Sequence, residues 1–122
     1  MEININDAND NNPQFYPSNH YSLSVLETAE EGTIVGSVYA HDKDLDLNGL
    51  VRYHKQISNR EDESVPFDVH YENGSIYVKK EFTALSRKAK QYTLFVIAED
   101  QASQIHERRS AVAVVKVGII IL

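Results

Sequence analysis

The chain has no cysteine and no tryptophan, one methionine, three prolines and five glycines among 122 residues. Without cysteine there is neither a disulfide framework nor a thiolate metal site, so any metal must be held by oxygen or histidine. The five histidines (20, 41, 54, 70 and 106) are scattered with no i,i+4 pair, which argues against zinc. Basic residues are outnumbered, 12 against 18 acids, for a net charge of −6. That balance argues against nucleic acid and anionic membrane surfaces as partners, since both attract basic patches. The local clusters Arg87-Lys88-Ala89-Lys90 and Arg108-Arg109 read as solvated loops. No apolar run reaches the ~18 residues needed to span a bilayer, and no signal peptide is visible. Met1-Glu2, directly before an acidic stretch, reads as the start of a fragment cut from something longer. Nucleophile–base spacings are missing, and nothing supplies an apolar pocket to raise one carboxyl of a pair. No enzyme and no small-molecule substrate is expected.

What is present is period-2 alternation rich in β-branched residues, over a hydrophobic fraction of 42% that suits one globular domain. Ile3 and Ile5 alternate with Asn4 and Asn6 like the end of a strand. Strand A is expected over 21–25, B over 33–40, C over 50–57, D over 67–70, E over 75–79, F over 91–99 and G over 111–118. The core residues of B (Val35, Val38, Ala40) change parity midway, as at a bulge or a strong twist. In C, Val51, Tyr53 and Ile57 share a face with Lys55 an awkward member, and in F Tyr92, Leu94, Val96 and Ala98 point one way. Asn73-Gly74 is a hairpin-turn dipeptide between D and E, and the polar stretch 81–90 has room for one helical turn. Seven short strands indicate an all-β, immunoglobulin-like antiparallel Greek-key sandwich. If A runs down, the loops leaving B and F lie at the top beside the amino-terminal stretch, and the odd count puts the termini at opposite poles.

At the top, three oxygen-rich clusters converge: residues 7–11, the loop carrying Asp42, Asp44 and Asn48, and Asp100 at the end of F. Packed acids repel one another, and a divalent cation held by oxygen alone removes that cost; calcium suits such a set better than magnesium. Asp42, Asp44 and Asp46 fall at positions 1, 3 and 5 of an EF-hand loop, but Leu47 replaces its glycine and Tyr53 its final glutamate, so this is no EF-hand. Asp-x-Asp at 42–44 also resembles a glycosyltransferase signature, but this chain has no nucleotide domain to accompany it.

Ile3-x-Ile5-x-Asp7-x-Asn9-Asp10-Asn11-x-Pro13-x-Phe15 resembles the linker between extracellular cadherin repeats. The likeness continues in order through Tyr21…Val25-x-Glu27, Gly32-Thr33…Val38-x-Ala40-x-Asp42-x-Asp44-x-x-x-Asn48, Val51-x-Tyr53, Phe67 and Asn73-Gly74-Ser75-Ile76 to Tyr92-x-Leu94-x-Val96-x-Ala98-x-Asp100. It covers nearly the whole chain. It implies a calcium-stiffened adhesion repeat in a tandem array, in the extracellular part of a single-pass plasma-membrane protein. The implied partners are adjacent repeats and a cadherin on another cell. By the resemblance the upper junction would hold three calcium ions, one built from Asn9 (side chain), Asn11 and Asn48 (backbone carbonyls) and the carboxylates of Asp42, Asp44 and Asp100. Asp7 and Asp10 would serve the others together with a preceding repeat.

The departures matter as much. The family's Leu-Asp-Arg-Glu motif at the lower pole stands here as Leu85-Ser86-Arg87-Lys88, and Ile119, Ile121 and Leu122 fall where the next linker would carry ligands. Only Glu27 survives there, so a calcium-free lower junction is expected. Lack of tryptophan removes the strand-swap anchor of an outermost classical repeat, which points to an internal or final repeat of a long or protocadherin-like cadherin with a spacer role. The expected division is 1–13 calcium-binding linker, 14–118 repeat and 119–122 start of the next linker. Asn73-Gly74-Ser75 is also a glycosylation sequon, compatible with the hairpin turn. The alternative from another class is a calcium-independent immunoglobulin- or fibronectin-like binding module whose acidic loops are merely solvated.

Overall fold

Alternating side chains place one face of each strand in a core and the other in solvent. The computed structural model describes residues 11–44, 50–58, 65–79 and 91–120. Among these are nine strands: β1 (Gln14–Phe15), β2 (His20–Leu26), β3 (Ile34–Ser37), β4 (Ala40–His41), β5 (Val51–Lys55), β6 (Phe67–Val69), β7 (Ser75–Val78), β8 (Gln91–Asp100) and β9 (Ser110–Ile120). They form a four-stranded sheet in the order β2-β9-β8-β5, a three-stranded sheet β3-β7-β6 and a short pair β1-β4. The seven expected strands are all present, B being divided into β3 and β4.

The expected bulge is found where the β3–β7 register shifts between Ile34 and Gly36. It leaves Ile34 62% exposed while Val38 and Ala40 are buried. One pairing is not antiparallel: β2 lies parallel to β9, with Tyr21 opposite Val115 and Leu23 opposite Val117. This follows from an odd strand count, because the first and last long strands run the same way and here become neighbours.

The core lies between the two larger sheets, with Phe67, Ile76, Val78, Val96, Val115 and Val117 fully buried. Phe67 meets Tyr92 edge to face, ring centroids 5.7 Å apart. β8 follows the expected pattern, Leu94, Val96 and Ala98 buried and Tyr92 packed against them. Strand C needs a correction. β5 ends at Lys55, and Ile57 lies beyond it, 53% exposed, so it does not share the inward face of Tyr53. Lys55 reaches across instead, its ammonium donating to the carbonyls of Val65 (3.4 Å) and Phe67 (3.2 Å). A 3-10 turn, Ile105–Glu107, has no counterpart in the apolar periodicity. The helical turn expected within 81–90 and the strand end at Ile3 and Ile5 lie outside the described residues.

The poles are as the strand directions require. β4 and β8 finish at the upper end, where Val51 pairs with Asp100. At the lower end the Glu27 N–H donates to the Ile120 carbonyl at 2.9 Å.

Candidate metal centre

The upper-pole loop is built from β4 outward. The Tyr53 hydroxyl accepts a 2.9 Å hydrogen bond from the Ala40 N–H, fixing the backbone two residues before Asp42. Asp42 then turns inward and is 97% buried, its Oδ1 accepting from the Asp44 N–H at 2.9 Å. Asp44 faces the amino-terminal segment. Its Oδ2 accepts from the Asn11 N–H at 3.0 Å and its Oδ1 from the Asn11 Nδ2 at 2.7 Å, a two-point clasp across 33 residues of sequence.

Asp100 ends β8 fully buried. Its Oδ1 accepts from the Ala102 N–H at 3.1 Å and its Oδ2 from the Arg109 N–H at 3.0 Å, so the loop back to β9 folds around this carboxylate. The arginine pair 108–109 is not simply solvated. Arg108 Nε donates to the Ala102 carbonyl at 2.9 Å, and Arg109 Nη1 donates to Asn12 Oδ1 at 3.1 Å. That second bond ties the segment entering β1 to the start of β9.

Four of the expected upper-pole residues therefore meet: Asn11, Asp42, Asp44 and Asp100. Asp7, Asn9, Asp10 and Asn48 lie outside the described residues. Among the described residues alone, no three acidic or histidine side chains make a ready cage for a metal ion. Glu27 sits at the opposite pole, at the end of β2, and shares nothing with this set. Periodicity did not assign a place at the site to the Tyr53 hydroxyl, the Ala102 and Arg109 amides or the Arg109 guanidinium. A tyrosine on the inward face of a strand was the available signal, since a buried hydroxyl needs a partner.

Asp42 tests whether the set suits a cation. Its Oδ2 is buried and has no hydrogen-bond partner among the described residues. Burial raises its pKa above the usual carboxylate range, the Asp44 N–H opposes that, and the charges of Asp44 and Asp100 add to it. A desolvated carboxylate with a bare oxygen, facing two more carboxylates, is poorly placed as it stands. A hard divalent ion would relieve it by supplying positive charge to an oxygen-only donor set. The residues fit calcium.

Residues 21–120 match the family model for the cadherin domain. The chain belongs to the cadherin family. It is 34% identical over 119 residues to Cadherin-89D of Drosophila melanogaster, covering 98% of this chain and 5% of that protein. To Protein dachsous of the same organism it is 38% identical over 116 residues, covering 93% of the chain and 3% of the relative. The crystal structure of mouse Cadherin-23 EC22-24 superposes with a TM-score of 0.78 at 25% identity, over 93% of this chain and 33% of that one. The fold is thus the immunoglobulin-like sandwich of cadherin repeats, and the chain is an extracellular cadherin repeat of non-classical type. Its relatives are adhesion proteins rather than enzymes, and repeats of this family generally bind calcium.

Proposed function

We propose that the upper pole of this cadherin repeat is half of a calcium-clamped joint with a preceding repeat. The chain would act as a stiff link in the ectodomain of a single-pass plasma-membrane adhesion protein that meets a cadherin on another cell. The observation that carries the reading is the buried Oδ2 of Asp42, without a hydrogen-bond partner among the described residues, beside Asp44, Asp100 and Asn11. Asn9, Asn11, Asp42, Asp44, Asn48 and Asp100 would hold one ion, and Asp7 and Asp10 would contribute to others. Calcium, when bound, supplies the positive charge that removes the repulsion among these carboxylates. The chain's own residues prepare the place: Tyr53 holds the approach to Asp42, Asp44 clasps Asn11, and Arg109 holds Asn12.

The lower junction is of another kind. Ser86 and Lys88 stand where the family carries acids, and Ile119, Ile121 and Leu122 where it carries further ligands. Leu26 and Ile120, opposite each other in register, are 44% and 47% exposed there. An apolar contact with whatever follows replaces a metal joint, and Glu27 alone holds no ion.

Calcium titration calorimetry tests both parts. The chain alone should bind one ion well, further sites should appear when the preceding repeat is attached, and extension beyond Leu122 should add none. Three tight sites in the chain alone, or none, would overturn the upper-pole reading; a new site on extension would overturn the lower one.

A further inference from the structure

The hairpin between β6 and β7 stands at the same pole and supplies none of the calcium-site residues named above. Asn73 is exposed, and its Oδ1 accepts from the Ser75 N–H at 2.8 Å. The Asn73 amide nitrogen has no partner among the described residues, so it faces solvent unengaged. Ser75 supplies the hydroxyl two residues on, completing Asn-x-Ser. The middle residue must be glycine. Gly74 has φ +75°, and a Cβ there would lie 2.3 Å from the Val38 carbonyl oxygen.

The turn also protects the asparagine from the reaction that Asn-Gly pairs favour, attack of the following amide nitrogen on the side-chain carbonyl. The Gly74 N–H is committed to the His70 carbonyl at 3.0 Å.

Beside Asn73 runs a groove of about 360 Å³ lined on its outer side by Tyr39, Leu50, Glu72 and Asn73 itself, and shared with Asp42 of the site above. That is the small end of ligand-sized cavities, roughly 300–1,000 Å³. Tyr39 is 56% exposed, and its ring lies 6.3 Å from that of Tyr16, which backs one side of it. The exposed Tyr39 ring beside the Glu72 carboxylate is the chemistry that receives a sugar: apolar ring hydrogens against the aromatic, hydroxyls to the carboxylate.

We propose that Asn73 carries an N-linked glycan whose first N-acetylglucosamine lies in this groove against Tyr39. The donor is an oligosaccharide on a lipid pyrophosphate. The bond from Asn73 Nδ2 to the sugar's anomeric carbon forms as that carbon's bond to the pyrophosphate oxygen breaks. The lipid pyrophosphate leaves with the electron pair, and the amide proton passes to the transferase. The inference rests on the extracellular placement proposed above, because the donor is met only along the secretory route.

The test uses the full-length protein that contains this repeat, expressed in human cells. Surface material is treated with peptide-N-glycosidase in heavy-oxygen water, and the peptide spanning residue 73 is read by mass spectrometry. Heavy-labelled acid at position 73, lost in Asn73→Gln and in Ser75→Ala and increased in Ser75→Thr, is the expected result. Surface protein with an unmodified Asn73 overturns the glycan but not the placement; absence from the surface overturns the placement and the glycan with it. For the groove, deglycosylation should lower the melting temperature of the wild-type repeat by a few degrees and leave that of Tyr39→Ala unchanged. An equal change in both, or none in either, overturns the seating of the sugar.

Discussion

Asp42→Asn should raise stability without calcium and lower it with calcium. The carboxamide keeps an acceptor for the Asp44 N–H, now 2.9 Å from Asp42 Oδ1, and places an N–H₂ where the bare Oδ2 lies buried. It also removes one charge from the neighbourhood of Asp44 and Asp100. The sign follows from linkage. The folded-state pKa of Asp42 is raised, so the folded chain binds more protons than the unfolded one between the two values, and stability falls as pH rises through that window. At neutral pH the full penalty is present, and the amide escapes it.

An unsatisfied buried group costs about 1–3 kcal/mol, part of which the new N–H₂ recovers through a neighbouring carboxylate, leaving a gain of roughly 1 kcal/mol. For a domain of this size that is about 4 °C. With free calcium at about a hundred times its dissociation constant, the wild type gains about 2.7 kcal/mol, roughly 10 °C, and the variant forfeits most of that increment with its charged ligand. The two melting curves should therefore exchange order between chelator and millimolar calcium, followed by circular dichroism. A variant that melts below the wild type in chelator would refute the buried-charge reasoning. One that keeps the whole calcium increment would show that Asp42 is not a ligand.

Among the described residues two glycines have positive φ, Gly32 and Gly74, and they separate backbone strain from steric contact. Gly32 (φ +92°) has nothing within 4 Å of an added Cβ, so Gly32→Ala should cost only the left-handed penalty, about 1–2 kcal/mol. Gly74→Ala adds the collision with the Val38 carbonyl and should cost at least ~2 kcal/mol more; equal costs in urea unfolding would mean that the β4 approach yields freely. Tyr53→Phe leaves the buried Ala40 N–H without its 2.9 Å acceptor. The expected loss is about 1–3 kcal/mol, with faster amide exchange at Ala40 and a smaller calcium increment. Unchanged exchange there would remove Tyr53 from the support of the site.

The strands were readable because each buries one face, so that period-2 patterns in residues such as Leu94, Val96 and Ala98 report the core directly. The bulge in B was readable for the same reason, as a break in parity. What the pattern misjudged was Ile57: its spacing continues the face of Tyr53, but the pairing of β5 with β8 ends at Lys55 and tertiary structure takes precedence over alternation. Lys55 itself is explained by the carbonyls of Phe67 in the other sheet and of Val65 just before it, contacts no local window contains. At the site, the acids were visible as composition and their meeting as strand direction. The groups that hold them, the Tyr53 hydroxyl and the Ala102 and Arg109 amides, act through backbone geometry that residue identity does not encode. Nor did charge clustering distinguish Arg109, tied to Asn12, from an ordinary solvated arginine.

Those ties bear on what calcium would add. Asn11 is held twice by Asp44 and Asn12 once by Arg109, bonds that need no cation. Asn11 and Asn12 are therefore docked on the strands' upper pole by contacts within the chain. Asp42, by contrast, takes no part in those contacts, and its Oδ2 has no hydrogen-bond partner among the described residues. Calcium would then have two separable effects: relief of Asp42 within this domain, and attachment of the chain before Asn11 to whatever precedes it. The first would appear as a melting-temperature increment in the chain alone. The second would appear only as reduced bending between two joined repeats. A substitution such as Arg109→Met should weaken the docking of Asn12 and so loosen the joint while leaving the increment from Asp42 nearly whole, whereas Asp42→Asn should do the reverse to the increment.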